Sequence, residues 1–266
     1  MKRGICKLCF QEKELCRESH IFPKFHYKFL YGANNQLIYL NSKKSQTRYN
    51  SEYESNILCK ECDENILGKL DDYAANLIHD NFATKTEFSL KIIDGREHII
   101  LKDSPNYKYS SFKLFLLSLL WRASISSRPF FQTTKLNFQT EEDLRLMILK
   151  NDPKEPEKYA CFINLPPLVS TPDGGRGFNT LYMPTISPEH IKKDGLEICQ
   201  LIIEGIRYSF IISVPKTWNI APGVGRNKLT IGFTTLQDQT ELLQKSIEMI
   251  KIKRSRPTPI KSRSGK

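Results

Sequence analysis

CKLC at residues 6–9 and CKEC at residues 59–62 are two Cys-x-x-Cys knuckles on either side of CRESHIFPKF (16–25), and the way they pair decides the N-terminal fold. Two thiolates separated by two residues can curl around one ion. Two such pairs complete the four-sulfur tetrahedral shell that zinc favours, closed to water and therefore structural. A redox dithiol is the competing reading of either knuckle alone, and the presence of both pairs in one short stretch argues against it. Cys6, Cys9, Cys59 and Cys62 are thus expected to hold one zinc ion. The remaining three of the seven cysteines, Cys16, Cys161 and Cys199, lack such spacing and are expected to be buried thiols. An odd cysteine count behind the start MKRGICKLC, which has no apolar stretch of the secretory kind, points to metal binding in a reducing compartment, hence a cytoplasmic protein.

The whole chain has 266 residues and a formal net charge of +11, and the excess sits at its two ends. Residues 1–30 carry seven Lys or Arg against three Glu, residues 251–266 carry seven and no acid, and the stretch between them is neutral. Positive charge confined to the ends suggests an anionic partner, nucleic acid first, met there. A solvated tail without a partner has the same composition. No run of residues is long and apolar enough for a membrane span. The most apolar stretch, FKLFLLSLLW (112–121), reads as a buried helix, with Trp121-Arg122 at its end as a packing anchor whose arginine has a partner, or else as part of a nucleic-acid surface.

The first 83 residues hold both knuckles and a long polar loop between them. From Cys62 onward, DENILGKLDDYAANLIHDNF has acids in its first turn and Ile66, Leu70, Tyr73 and Leu77 at helical spacing. Asp94-Gly95 and Glu204-Gly205 each interrupt a β-rich stretch as two-residue hairpin turns do. Thr140 reads as the N-cap of a helix running into LRLMILK, and a last helix is expected over Asp238 to Lys251. The glycine patterns of PDGGRGF (172–178) and APGVGR (221–226) lack the strand-to-helix context of a phosphate loop and read as turns. Together these features describe an α+β chain: a zinc-stabilised module over 1–83, an α+β domain with an antiparallel sheet over 84–252, and a basic tail over 253–266. That second domain offers no catalytic constellation and is expected to choose a target or a protein partner.

The order of CKLC, ESHIFPKF, NILC and CDEN resembles the HNH, or ββα-metal, endonuclease superfamily, in particular members with a four-cysteine zinc outside the active site. The resemblance covers about 80 residues. It implies a ββα-metal (HNH) module that hydrolyses phosphodiester bonds in DNA, more than RNA, and leaves a 5′-phosphate and a 3′-hydroxyl. His20 would be the general base and Asp63 the protein ligand to a catalytic Mg²⁺ or Mn²⁺. Ser19 stands where the family commonly has Asp and is a poorer second ligand. Asp63 stands where the family often has Asn or His, as if the carboxylate had changed sides of the site. The alternative is a non-catalytic, zinc-dependent nucleic-acid-binding protein. Glu64, Asn65, Asp71 and Asp72 are candidate outer ligands. Lys24, Lys28, Lys253, Arg254 and Arg256 are candidate phosphate contacts, whereas His26, His79, His98 and His190 have no comparable setting.

Overall fold

In a computed structural model, the chain is described over residues 2–27, 37–41, 44–48, 53–80, 88–166, 168–170, 176–178, 185–203 and 205–234. The N-terminal part contains β1 (Lys2–Ile5), β2 (Glu12–Leu15), β3 (Ser19–His20), β4 (Leu37–Asn41), β5 (Lys44–Arg48) and β6 (Tyr53–Glu54). A continuous helical run follows: a wide π-helical stretch Glu61–Gly68, α1 (Lys69–Ala75), and a second π-helical stretch Asn76–Asp80. Next come β7 (Phe88–Ile93), β8 (Arg96–Lys102), α2 (Tyr109–Ile125) and α3 (Phe138–Leu149). Among the described residues the elements that follow are strands: β9 (Cys161–Leu165), β10 (Leu168–Ser170), β11 (Arg176–Phe178), β12 (Thr185–Lys193), β13 (Leu196–Ile203), β14 (Ile206–Ser213) and β15 (Lys228–Phe233).

Nine of these strands form one sheet in the order β5-β4-β12-β13-β14-β9-β15-β8-β7. All its neighbours are antiparallel except β4 with β12 and β9 with β15. The two expected hairpins form at the predicted turns. Asp94 and Gly95 have φ of 50° and 73°, the pair of positive angles that defines a type I′ turn, whose twist matches that of the strands it joins. Gly205, with φ of 73°, turns β13 into β14. A third turn of the same kind, Asp194-Gly195, joins β12 to β13 and was not expected.

One core runs through the described chain. Pairing of successive strands aligns Leu90, Ile99, Ile231, Ile163, Tyr208 and Leu201 in a single row across six strands. Within that row Ile99 to Leu201 are buried and belong to the same cluster as the apolar length of α2. Phe25 and His26 wedge between the two layers, with His26 against Phe115 of α2 on one side and Tyr208 of β14 on the other. His26 is therefore a core residue, as its sequence setting implied.

One expectation is corrected. Helix α3 begins earlier than predicted, because Asn137 and not Thr140 is the N-cap: its Oδ1 accepts the Thr140 N–H at 2.9 Å. The buried stripe of the 61–80 run is Cys62, Leu67, Leu70, Ala74, Leu77 and Ile78, while Ile66 and Tyr73 lie at its margin. The π-helical stretches have more residues per turn than an α-helix, so the stripe drifts from the positions a 3.6-residue period selects. The helix expected over Asp238 to Lys251 and the PDGG stretch at 172–175 lie outside the described residues. The APGVGR stretch is a turn, pressed so closely on β9 and β15 that a Cβ at Gly223 would lie 3.1 Å from the Thr230 carbonyl.

The segment after α2 grips the N-terminal part through Glu54. This buried carboxylate accepts from Ser126 Oγ at 2.8 Å and from the backbone N–H groups of Ser127 and Arg128 at 2.5 and 3.1 Å. Burial alone would raise its pKa, but the serine bonds and the Arg128 charge outweigh that, so it lies below the ordinary 4.5. A carboxylate with a depressed folded-state pKa contributes stability that is complete above its unfolded value and is lost as pH falls through its folded value. Glu54→Gln should therefore cost about 2–4 kcal/mol at pH 7. The gap in melting temperature between variant and wild type should close in a calorimetric series taken down through about pH 4 and below.

Candidate functional site

The four knuckle cysteines meet. Their Sγ atoms all lie within 4.8 Å of one another, with Cys6, Cys59 and Cys62 buried and Cys9 partly so. Backbone bonds lace the two knuckles together: Lys7 N–H donates to the Ile57 carbonyl at 2.9 Å, Cys16 N–H to the Leu58 carbonyl at 2.8 Å, and Cys59 N–H to Cys6 Sγ at 3.4 Å. The Cys62 contact pulls Cys6 toward the thiolate, the same contact pushes the Cys62 thiol up, and burial pushes Cys59 up. Four thiolates this close repel one another without a cation among them. A tetrahedral zinc with bonds of about 2.3 Å needs sulfurs about 3.8 Å apart, so the donor set fits that ion in number, softness and spacing. The other two buried thiols behave as expected, with Cys161 and Cys199 in the core, whereas Cys16 is only partly buried.

Beside this cluster, β3 and β6 pair antiparallel with Ser19 opposite Glu54 and His20 opposite Tyr53, and the 61–80 run begins within the second knuckle and carries its Cys62. Between β3 and β6 the chain also makes β4 and β5, which join the large sheet, so the strand, strand, helix order that the resemblance implies is interrupted by a second hairpin. Ser19 is fully buried; its hydroxyl lies beside the Asp63 carboxylate, lowering that group's pKa, at a geometry short of a full hydrogen bond. Burial nevertheless dominates at Asp63 and raises its pKa to about 6 against the opposing charge of Arg122. His20 is half-buried, and burial, then the Lys24 charge, lower its pKa against the pull of Glu18. The imidazole is thereby biased toward its neutral form at neutral pH.

Arg122, near the end of α2, joins these pieces. It forms a bidentate ion pair with Asp71 at 2.8 and 2.9 Å, with its side chain 3% exposed. It also donates to the backbone carbonyl of His20 at 3.4 Å, to Ser118 Oγ at 3.1 Å and to the Ser118 carbonyl at 3.3 Å. The same cation acts electrostatically on both His20 and Asp63. Asp71 is thus committed to Arg122 and is not free to serve as an outer ligand. Asn65 is bonded to Glu61 at 2.7 Å, Glu64 faces Lys60 at 3.8 Å on the surface, and Asp72 is exposed. Among the described residues, the cysteine cluster is the group of three or more His, Cys, Asp or Glu side chains whose ligand atoms converge. Lys24 is exposed on the turn just after β3. Lys28, Lys253, Arg254 and Arg256 lie outside the described residues.

Glu54 escaped the reading of the sequence, while Arg122 was expected only as a partnered packing arginine or a nucleic-acid contact and not as the link between His20 and Asp63. A lone arginine inside the apolar run FKLFLLSLLWR was the one available signal, since a charge there demands a buried partner. Glu54 had no such signal. Compared with models of protein families, with curated proteins and with solved structures, the chain finds no match.

The cluster makes two expectations concrete. The purified protein should carry one zinc per chain by elemental analysis, and either Cys59→Ser or Cys62→Ala should abolish it. Chelation should lower the melting temperature of the wild type and leave that of either variant unmoved. Arg122→Met should cost about 2–4 kcal/mol in denaturant unfolding, because it leaves the partly buried Asp71 unpaired, and Asp71→Asn combined with it should restore part of the loss.

Proposed function

We propose that the chain is a metal-dependent HNH-type endonuclease that hydrolyses phosphodiester bonds in DNA, with His20 as general base and Asp63 as the protein ligand of a catalytic Mg²⁺ or Mn²⁺. The observation that supports this reading is the placement of the His20 strand and the Asp63 helical turn around one arginine, beside four converging cysteines. His20 is partly open to solvent, and its lowered pKa suits acceptance of a proton from water near neutral pH. Asp63 presents hard oxygen, the donor such cations prefer. When bound, the cation would supply charge to the scissile phosphate and to the leaving oxygen. Lys24, exposed beside His20, suits a phosphate of the nucleic-acid backbone. The basic ends of the chain suit sequence-independent attraction to the same polymer.

One observation favours the rival reading, a zinc-dependent nucleic-acid-binding protein without catalysis. Ser19, where the resembled family commonly has an acid, is fully buried, and among the described residues no group of three His, Cys, Asp or Glu ligand atoms other than the four cysteines converges. The two readings separate on plasmid DNA. With Mg²⁺ or Mn²⁺ the wild type should nick supercoiled plasmid, and His20→Ala should slow nicking by roughly 10²–10⁴-fold with its zinc content unchanged. Asp63→Asn should raise the metal concentration needed for half-maximal cleavage. Equal nicking by wild type and His20→Ala would remove the general base. Plasmid retarded in a gel but uncut under every metal would establish the binding protein.

A further inference from the structure

Strand β7 is the outermost strand of the nine-stranded sheet among the described residues, and its free edge lacks most of the devices by which proteins protect such edges. It is six residues long, contains no proline, and carries one charge, Lys91. Two large apolar side chains stand open on it: Leu90 is 50% exposed and Ile92 is 77% exposed. They do not belong to a scattered surface. Leu90 is the last member of the row that continues through Ile99, Ile231, Ile163 and Tyr208 into the core, so the apolar layer of the sheet runs out to this edge uncovered.

The hairpin turn fixes which backbone groups face outward. In a two-residue hairpin the residues flanking the turn, here Ile93 and Arg96, exchange both of their hydrogen bonds, and the pairs alternate from there. Ser89, Lys91 and Ile93 therefore spend their N–H and C=O groups on β8. Phe88, Leu90 and Ile92 direct theirs toward the free edge, and the exposed side chains of Leu90 and Ile92 lie on the one apolar face.

We propose that this edge receives a second copy of the chain, strand against strand and antiparallel about a two-fold axis through Leu90. In that register Leu90 exchanges both hydrogen bonds with its symmetry mate, Phe88 pairs with Ile92 of the second copy, and the open donors and acceptors are all met. The side chains of Leu90 and Ile92 then continue the core row into the neighbouring sheet. The register is also sound electrostatically, since it sets Lys91 opposite Ser89 of the other copy and leaves no like charges directly opposed. A single six-residue strand buries less than the roughly 800 Å² per partner of a stable interface, so the dimer belongs to the weak, concentration-dependent class. The inference is independent of the nuclease reading.

Sedimentation velocity on the full-length, zinc-loaded protein over a concentration series tests it. The wild type should pass from monomer to dimer as concentration rises. Ile92→Lys should raise the dimer dissociation constant at least about tenfold, because both copies then bring a charge to the apolar row. Leu90→Pro should do the same while leaving the fold intact, because the N–H it removes faces the free edge and not β8. Ile191→Lys, a like change at a residue 41% exposed on β12, should leave association unchanged. Circular dichroism and melting temperature close to wild type would show that each variant folds. A wild type that stays monomeric up to the highest soluble concentration overturns the proposal, as does a dimer indifferent to both edge variants or equally weakened by Ile191→Lys.

Discussion

A guanidinium in a protein interior stays charged at tolerable cost only if its N–H groups are met, and Arg122 satisfies that condition in a way that organises the surrounding chain. Its five donors reach Asp71 on α1, the carbonyl of His20 on β3, and Ser118 one turn back on its own helix. Three segments far apart in sequence are thereby held to one point. Replacement of such a network by apolar residues often leaves stability unchanged or improved, so bulk stability is a weak reason for its presence. What it confers is position: the buried helix α2 can occupy one register against the helix that follows the second knuckle.

Around that point the remaining polar contacts act in the same sense. Glu54 is held by the segment leaving α2, and Arg145 of α3 donates to the Leu8 carbonyl within the first knuckle while its guanidinium lies 4.0 Å from the centre of the Phe10 ring. Lys7 reaches back to the Ile125 carbonyl at the end of α2, where the helix dipole favours a cation. The cysteine cluster is thus clamped from two helices as well as from its own hairpins. The candidate site lies where those clamps converge, which is how a short pair of two-residue strands can hold a histidine in place.

What could be read from the sequence was local. Asp94-Gly95 declares a hairpin because few residues tolerate two successive positive φ angles, and the knuckles declare a shared ion because four thiols at that spacing have little else to do. The apolar length of α2 was equally plain. The features that escaped depend on partners distant along the chain: Arg122 with Asp71, 51 residues apart, and Glu54 with Ser126, 72 residues apart. The start of α3 was misjudged for another reason. Asn137 and Thr140 are both good capping residues, and local preference alone does not choose between them. Within the candidate site, His20 and Asp63 are singled out by the resemblance their flanking cysteines carry, while the arginine beside both was legible only as an anomaly in an apolar helix.

The parallel pairing of β4 with β12 gives the chain a history as well as a shape. Tyr39 and Leu40 take as neighbours Thr185 and Ile186, residues made long after both knuckles are complete. A growing chain extends at roughly 5–20 residues per second, so the cysteines are ready for an ion several seconds to tens of seconds before β4 has a strand to join. An ion bound in that interval would close a loop of about 50 residues early and bear much of its closure entropy, which grows only slowly with loop length. Metal supply at the time of synthesis then bears on whether β4 and β5 wait as a tethered hairpin or as the exposed edges of an untethered one.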